Sequence, residues 1–223
     1  MISVVLLAHN YGKYLSDCLN SIINNNLSLI GEIIIINDKS TDNTKEIVEK
    51  YMLVNSKIRY FETNFLSLAR SYNFAVSKSN FEFITKVDAD DTLEKDFVSS
   101  FFNELKKNDY DLIFGDLNLI NKSGKLISRK KQKKNYISSY IKYPHGSGTI
   151  YKKDLWKRIN GFDENLTYQD DYDFWLKLKK LKNIKIGYFS KQGYNYRIHD
   201  NNMSRSKFKK NLTKIFVLLR SLV

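Results

Sequence analysis

Residues 81–91 read Phe-Glu-Phe-Ile-Thr-Lys-Val-Asp-Ala-Asp-Asp, an apolar strand signal over Phe81 to Val87 that runs straight into three carboxylates within four positions. Asp88, Asp90 and Asp91 repel one another, and a strand end is a poor place for them unless a cation or donor groups compensate. A divalent ion does so. Oxygen ligands suit Mn2+ or Mg2+, which keep open positions for water and substrate phosphates. A D-x-D at a strand end therefore suits a metal diphosphate. A plainer role for Asp90-Asp91-Thr92 is to cap a helix beginning near Glu94.

Outward from this segment, apolar runs alternate with helical patterns. Ile2 to Ala8 is nearly continuous in hydrophobic residues, as a parallel strand covered on both faces is. Leu15, Cys18, Leu19, Ile22 and Ile23 follow at helical spacing. Glu32 to Ile36 repeats the strand signal, and Ser40-Thr41-Asp42 supplies N-cap chemistry for a helix carrying Ile47, Val48 and Tyr51. Lys57 to Phe61 reads as a third strand and Ser67 to Lys78 as a third helix. The βαβα order predicts an α/β fold with a mostly parallel sheet flanked by helices. After a helix over roughly Glu94 to Lys107, Tyr110 to Ile120 and Lys125 to Ser128 flank a Lys122-Ser123-Gly124 turn, which predicts a hairpin and a mixed second half.

In an open parallel sheet, ligands bind beyond the carboxyl ends of the strands. The loops there carry His9, Asn10 and Tyr11; Asn37, Asp38, Ser40 and Asp42; and the aspartates at 88, 90 and 91. The chain contains neither G-x-G-x-x-G nor G-x-x-x-x-G-K-[ST], which argues against a dinucleotide-binding dehydrogenase and a P-loop enzyme.

The 223 residues are 42% hydrophobic and carry a formal charge of +13. The size allows one sizeable core, and the charge favours anionic partners. Cys18 is the only cysteine, so no internal disulfide forms, and it reads as a core residue. Two basic stretches stand out: Arg129 to Lys134, which reads as a solvated loop, and the tail from Arg205. In the tail Leu212, Ile215, Phe216, Leu219, Leu222 and Val223 share a helical face, with Lys207, Lys209, Lys210, Lys214 and Arg220 around it. A basic amphipathic helix over 205–223 suits an anionic membrane surface, and equally suits packing on the domain or on a second subunit in a homodimer. With no charged leader and no spanning segment, the expected location is cytoplasmic, at most peripheral on the inner face of the plasma membrane.

Five motifs, taken in order, resemble the family-two inverting glycosyltransferases of bacteria, nucleotide-sugar enzymes of GT-A fold: ISVVLLAHN, IIINDKSTDNT, ITKVDADD, INGFDENLTYQDDYDFWLKL and YRIHDNNMS. The resemblance runs from Ile2 to about Ser204. It implies a single GT-A domain over 1–204, with a nucleotide-binding half at about 1–92 and an acceptor half at about 93–204. It further implies a UDP-sugar donor, a saccharide or lipid-linked acceptor, and inversion at the anomeric carbon during bacterial surface glycan synthesis.

Carried over residue by residue, Asp38 matches the family aspartate that reads the nucleobase, and Ser40 shares its loop. Asp42 in the same loop is read as a helix cap. Asn10 and Tyr11 border base and ribose, Asp88 lies near ribose and sugar and joins Asp90 as a metal ligand, and Ala8 and Ala89 complete the donor site. Asp171 takes the position of the catalytic base, with Asp170 as supporting acid; two aspartates at a helix start also have a plain explanation in the helix dipole. His199 falls where some relatives complete the metal shell. Arg197 suits the diphosphate, since guanidinium groups match phosphate oxygens. His145 borders the acceptor cleft, and His9 is read as structural.

The sequence departs from the family pattern twice. Lys39 stands where glycine is common, and a positive φ is costly for lysine. Of the family's Arg-Asn pair, Asn73 matches the asparagine but Tyr72 holds the arginine position, leaving Arg70 to reach the diphosphate from a helical turn away. Two other classes, a sugar-nucleotidyltransferase and a basic nucleic-acid-binding module, fit less well. The first normally has a Gly-rich, Arg-containing loop that Leu6 to Lys13 lacks. Nucleic acid is not an expected partner, because the acidic cluster opposes a phosphate backbone.

Overall fold

The computed structural model describes residues 1–140, 142–200, 202 and 213–219. Ile2–Ala8 (β1), Ile30–Asp38 (β2), Ile58–Thr63 (β3) and Phe83–Asp88 (β4) are parallel, in the spatial order β3-β2-β1-β4. Gly12–Ile23 (α1), Thr44–Met52 (α2) and Leu68–Lys78 (α3) make the crossovers.

Side chains alternate along a strand, so β1 feeds two cores. Val4 and Leu6 pack with Leu15, Cys18 and Leu19 of α1 on one face, while Val5 and Leu7 pack with Ala69, Tyr72 and Val76 of α3 on the other. This double coverage is why β1 and β2 are apolar at nearly every position.

Beyond β4 the sheet turns mixed, as the hairpin signal predicted. Thr92–Leu93 (β5), Phe97–Lys107 (α4), Leu112–Ile120 (β6), Leu126–Lys130 (β7), Ile150–Lys152 (β8), Lys153–Arg158 (α5), Asp170–Lys180 (α6) and Ile186–Arg197 (β9) complete the described elements. The order continues β4-β8-β6-β9-β5, with β7 paired to β6. β6 and β9 run parallel, whereas β8 is antiparallel to both β4 and β6. One sheet thus joins the two halves of the chain.

One expectation needs correction. The helix expected from Glu94 starts at Phe97 with Asp96 at its N-cap, because Thr92 and Leu93 pair with Asn195 and Tyr194 of β9 first. Asp90 and Asp91 therefore cap nothing. Asp42 does cap α2 as read: Asn43 holds the N-cap position without a side-chain bond, and Asp42 Oδ1 accepts from the Thr44 N–H (3.1 Å) and Thr44 Oγ1 (2.6 Å). In the tail, residues 213–219 are helical, but the buried member is Val217, packed near Leu166, Tyr172 and Leu176. Ile215, Phe216 and Leu219 of the expected apolar face are exposed. Leu212, Leu222, Val223, Lys207, Lys209, Lys210 and Arg220 lie outside the described residues.

Candidate active site

A cavity of about 710 Å³ opens beyond the carboxyl ends of β1, β2 and β4 and is closed on the far side by the start of α6. Ala8, His9, Asn10, Tyr11, Asp38, Asp88, Ala89 and Asp90 line it from the first half, and His145, Asp170, Asp171 and His199 from the second. His9, read as structural, does both jobs: its ring lines the cavity while Nδ1 lies 2.6 Å from the Asp38 carbonyl oxygen.

The first two loops are sewn together. The Asn10 N–H donates to Ser40 Oγ (2.9 Å), the Thr41 N–H to Asn10 Oδ1 (2.7 Å), and the Gly12 N–H to Asp42 Oδ2 (2.8 Å). Both loops turn through the left-handed region, at Asn10 (φ 59°) and Lys39 (φ 59°). Lysine thus adopts the costly conformation that the sequence made doubtful. Ser40 lies off the cavity wall, a brace between the loops and not a lining residue.

Asp38 ends β2 and accepts from Thr63 Oγ1 (3.0 Å), the Phe65 N–H (2.7 Å), the Ser67 N–H (3.2 Å) and Ser71 Oγ (3.0 Å). Burial pushes its carboxyl up, but donors from Leu66, Ser71, Phe65 and Thr63 together outweigh it and hold it below the usual range. It enters the cavity as a fixed anion.

The acidic cluster divides into three tasks. Asp91 is fully buried, accepting from Tyr194 Oη (2.8 Å) and the Arg197 N–H (2.7 Å), and serves structure. Asp90 Oδ2 lies 2.8 Å from His199 Nε2, both side chains almost wholly buried. Asp88 directs Oδ2 at Ser147 Oγ (2.6 Å) and Oδ1 at Lys86 Nζ (3.7 Å). The expected Asp88, Asp90 and His199 set is thus brought together only in part.

An octahedral ion with bonds near 2.1 Å spans neighbouring ligands about 3 Å apart, which Asp90 and His199 match. Burial and the nearby Asp88 raise the Asp90 carboxyl, so the site favours a cation in the place of its proton. The donor set therefore fits Mn2+ or Mg2+ with open positions left for phosphate oxygens. Among the described residues, no three His, Cys, Asp or Glu side chains close into a ready-made cage.

Two arginine expectations are overturned. Arg197 is buried and fully engaged: Nε donates to the Asp90 carbonyl oxygen (2.7 Å), one terminal nitrogen to the Lys122 carbonyl oxygen (3.1 Å) and the other to Asp17 Oδ2 (3.2 Å). It holds the acidic loop in shape instead of facing a diphosphate. Arg70 is half-exposed, off the cavity, and paired with Glu164 (3.4 Å).

The wall opposite Asp90 and His199 is the N-terminus of α6, entered through Gln169 in a left-handed conformation (φ 67°). Asp171 Oδ2 accepts from the Gly146 N–H (3.1 Å), and its Oδ1 lies 3.5 Å from Lys86 Nζ. A Cβ on Gly146 would fall 2.0 Å from Asp171 Oδ1, so this approach requires glycine. Burial raises the Asp171 carboxyl, but Lys86, His145 and the Gly146 N–H prevail and keep it below the usual range. Burial and Asp171 push Asp170 the other way, up to about 6. Environments that drive two neighbouring carboxyls apart separate a proton acceptor from a proton holder. His145 lines the same wall, its ring 5.2 Å from that of Tyr196.

Sequence reading missed Lys86, which lies in this wall, and Ser147 and Tyr194, which fix Asp88 and Asp91. A lysine between Ile84 and Val87 in an otherwise apolar strand was the available signal for the first; nothing local marked the others.

Residues 3–174 match the model of a family described as glycosyl transferase family 2. The O-antigen biosynthesis glycosyltransferase WbnJ of Escherichia coli is 27% identical over 216 residues, covering 92% of this chain and 83% of that protein. The hyaluronan synthase of Pasteurella multocida is 29% identical over 217 residues, and the match spans 93% of this chain but 21% of the synthase. Among solved structures, S. aureus TarS 1–349 in complex with UDP-GlcNAc superposes with a TM-score of 0.81 at 21% identity, covering 99% of this chain and 66% of that one. That likeness is one of fold. Among the described residues, no helix is long and apolar enough to cross a membrane.

Proposed function

Because the chain belongs to glycosyl transferase family 2, we propose that it transfers a hexose or N-acetylhexosamine from a UDP-sugar to a saccharide or lipid-linked hydroxyl, with inversion, in bacterial surface glycan synthesis. The fold is of GT-A type, matching TarS. The donor reading is supported by the UDP-GlcNAc complex of that neighbour, and the glycan reading by the O-antigen and hyaluronan enzymes among the relatives. A cytoplasmic location, peripheral on the membrane, and the 1–204 domain boundary belong to the same proposal.

The observation that carries it is the convergence of two carboxylate groups, Asp88 and Asp90 from one half and Asp170 and Asp171 from the other, on one cavity. Asp38, Asn10 and Tyr11 bind and orient the nucleoside beyond β1 and β2. Asp90 and His199 hold Mn2+ or Mg2+, which when bound offsets the charge of the departing diphosphate. Asp171, ionised at neutral pH, takes the proton of the acceptor hydroxyl as the oxygen attacks the anomeric carbon. Asp170, the supporting acid beside it, keeps its own proton to higher pH than Asp171 does. His145, Tyr143 and Tyr196 wall the acceptor side.

The test is UDP release from a panel of UDP-sugars by the purified protein, with and without Mn2+, in the presence of saccharide acceptors. Metal-dependent release with one or a few sugars is expected. No release with any of them, alongside binding of a nucleoside triphosphate, would remove the transferase reading.

A further inference from the structure

Lys86 sits in the middle of β4, paired with Val5 of β1, with 4% of its surface exposed. With a period of two, Ile84, Lys86 and Asp88 share one face of the strand. Ile84 packs into the core under α3, but Lys86 carries a charge into the same layer. A buried ammonium group is stable only when it is paired. Its partners come from both halves of the chain: Asp88 Oδ1 at 3.7 Å at the end of its own strand, and Asp171 Oδ1 at 3.5 Å across the cavity floor. The Tyr72 ring, 5.7 Å from Nζ, supplies a further face.

A second segment braces the same three residues in parallel. The Gly146 N–H donates to Asp171 Oδ2, Ser147 Oγ to Asp88 Oδ2, and the Gly148 N–H to the Lys86 carbonyl oxygen (3.2 Å). Three successive residues thus hold the three members of one carboxylate–lysine–carboxylate bridge. An element built twice over in this way fixes a geometry, and what it fixes is the position of Asp171 relative to the donor-side strand.

We propose that Lys86 is a positioning residue that ties Asp171 to Asp88 and so sets the acceptor-side carboxylate at a fixed place against the donor. The catalytic consequence rests on the reading of Asp171 as base given above; the bridge itself does not. The charged and titratable groups facing Asp171 are Lys86 and Asp88 from β4, His145 from the segment before β8, Asp170 on α6, and Tyr72 and Tyr143.

The test uses the full chain with Lys86→Met, Lys86→Gln and Lys86→Arg. Carbon-13 NMR titration of labelled aspartates, with Asp171 assigned through Asp171→Asn, reads the contact without turnover. In Lys86→Met the Asp171 midpoint is expected to rise by roughly 1 pH unit or more, as loss of a cation at that distance requires, and Lys86→Arg is expected to restore it. The acidic limb of the kcat profile should move by the same amount, with kcat lower by roughly tenfold to a hundredfold and donor KM little changed. Should Lys86→Met not fold, Lys86→Gln carries the same measurement. An unmoved Asp171 midpoint in the neutral variants overturns the bridge. If the midpoint moves but Asp171→Asn still transfers sugar, the bridge stands and the base assignment falls.

Discussion

His199 Nε2 lies 2.8 Å from Asp90 Oδ2, although 109 positions separate the two residues in the chain. The contact links the acidic loop after β4 to the end of β9 and leaves both groups buried at the cavity wall. Asp90→Asn should abolish metal-dependent stabilisation by UDP, and His199→Gln should weaken it. In the native protein, saturation at a hundred times Kd should add about 2.7 kcal/mol. Because burial and Asp88 raise the Asp90 carboxyl and its proton must leave before a cation enters, stabilisation by Mn2+ and UDP should weaken as pH falls. Thermal shift with UDP, with and without Mn2+, across a pH series decides this.

Asp171 is held by a backbone N–H that only glycine can bring so close. Asp171→Asn should lower kcat by about 10²–10⁴-fold, the usual range for loss of a general base, and leave UDP binding intact. Gly146→Ala should act in the same direction through displacement of the carboxylate. Transfer assays beside calorimetric UDP titration separate the two effects. Loss of UDP affinity in proportion to kcat in either variant would assign these residues to donor binding.

Asp170 carries the opposite shift, up to about 6 from an ordinary value near 3.8. The folded state then binds the proton more tightly than the unfolded chain, so this group favours folding at low pH and opposes it as pH rises through its folded value. Asp170→Asn should therefore melt higher than the native protein at pH 7, and the gap should shrink as pH falls from 6 to below 4. Melting curves of both proteins across that range test the sign; a gap constant with pH would mean that Asp170 is not under strain.

How far the sequence disclosed this site follows from which interactions are local. Val4 to Leu7 and Ile33 to Ile36 are apolar at every position because both faces are covered, so the parallel half was legible from hydropathy alone. The loops at the ends of those strands, with Asn10, Asp38 and Asp90, followed from the same topology. β9 was not legible: its twelve residues mix Gly, Ser, Lys and Gln with tyrosines, and its register against β6 shifts around Asp116. Arg197 illustrates the limit. Its chemistry matches a phosphate, but its guanidinium is occupied by the Asp90 and Lys122 carbonyl groups and Asp17, partners that no spacing rule places beside it.

Arg197→Met tests that reassignment. The change leaves two carbonyl oxygens without their donor and removes a cation stacked over Tyr14. Destabilisation of about 2 kcal/mol or more is expected, the scale of orphaned buried acceptors. Urea denaturation measures it directly. A variant of native stability with a raised donor KM would return Arg197 to the diphosphate.

Lys39 carries backbone strain that the cavity chemistry does not need. Its φ of 59° costs a residue with a Cβ roughly 1–2 kcal/mol, and its side chain is exposed and outside the cavity. Glycine removes that strain but adds freedom to the unfolded chain, at roughly 0.5–1 kcal/mol. Lys39→Gly should therefore raise stability by about 0.5 kcal/mol, seen as a higher urea midpoint with an unchanged slope. Activity should not change, because the turn keeps Asn10, Ser40 and Thr41 in the same hydrogen bonds. Loss of activity without loss of stability would show that the lysine side chain, and not only the turn, takes part in binding the nucleotide.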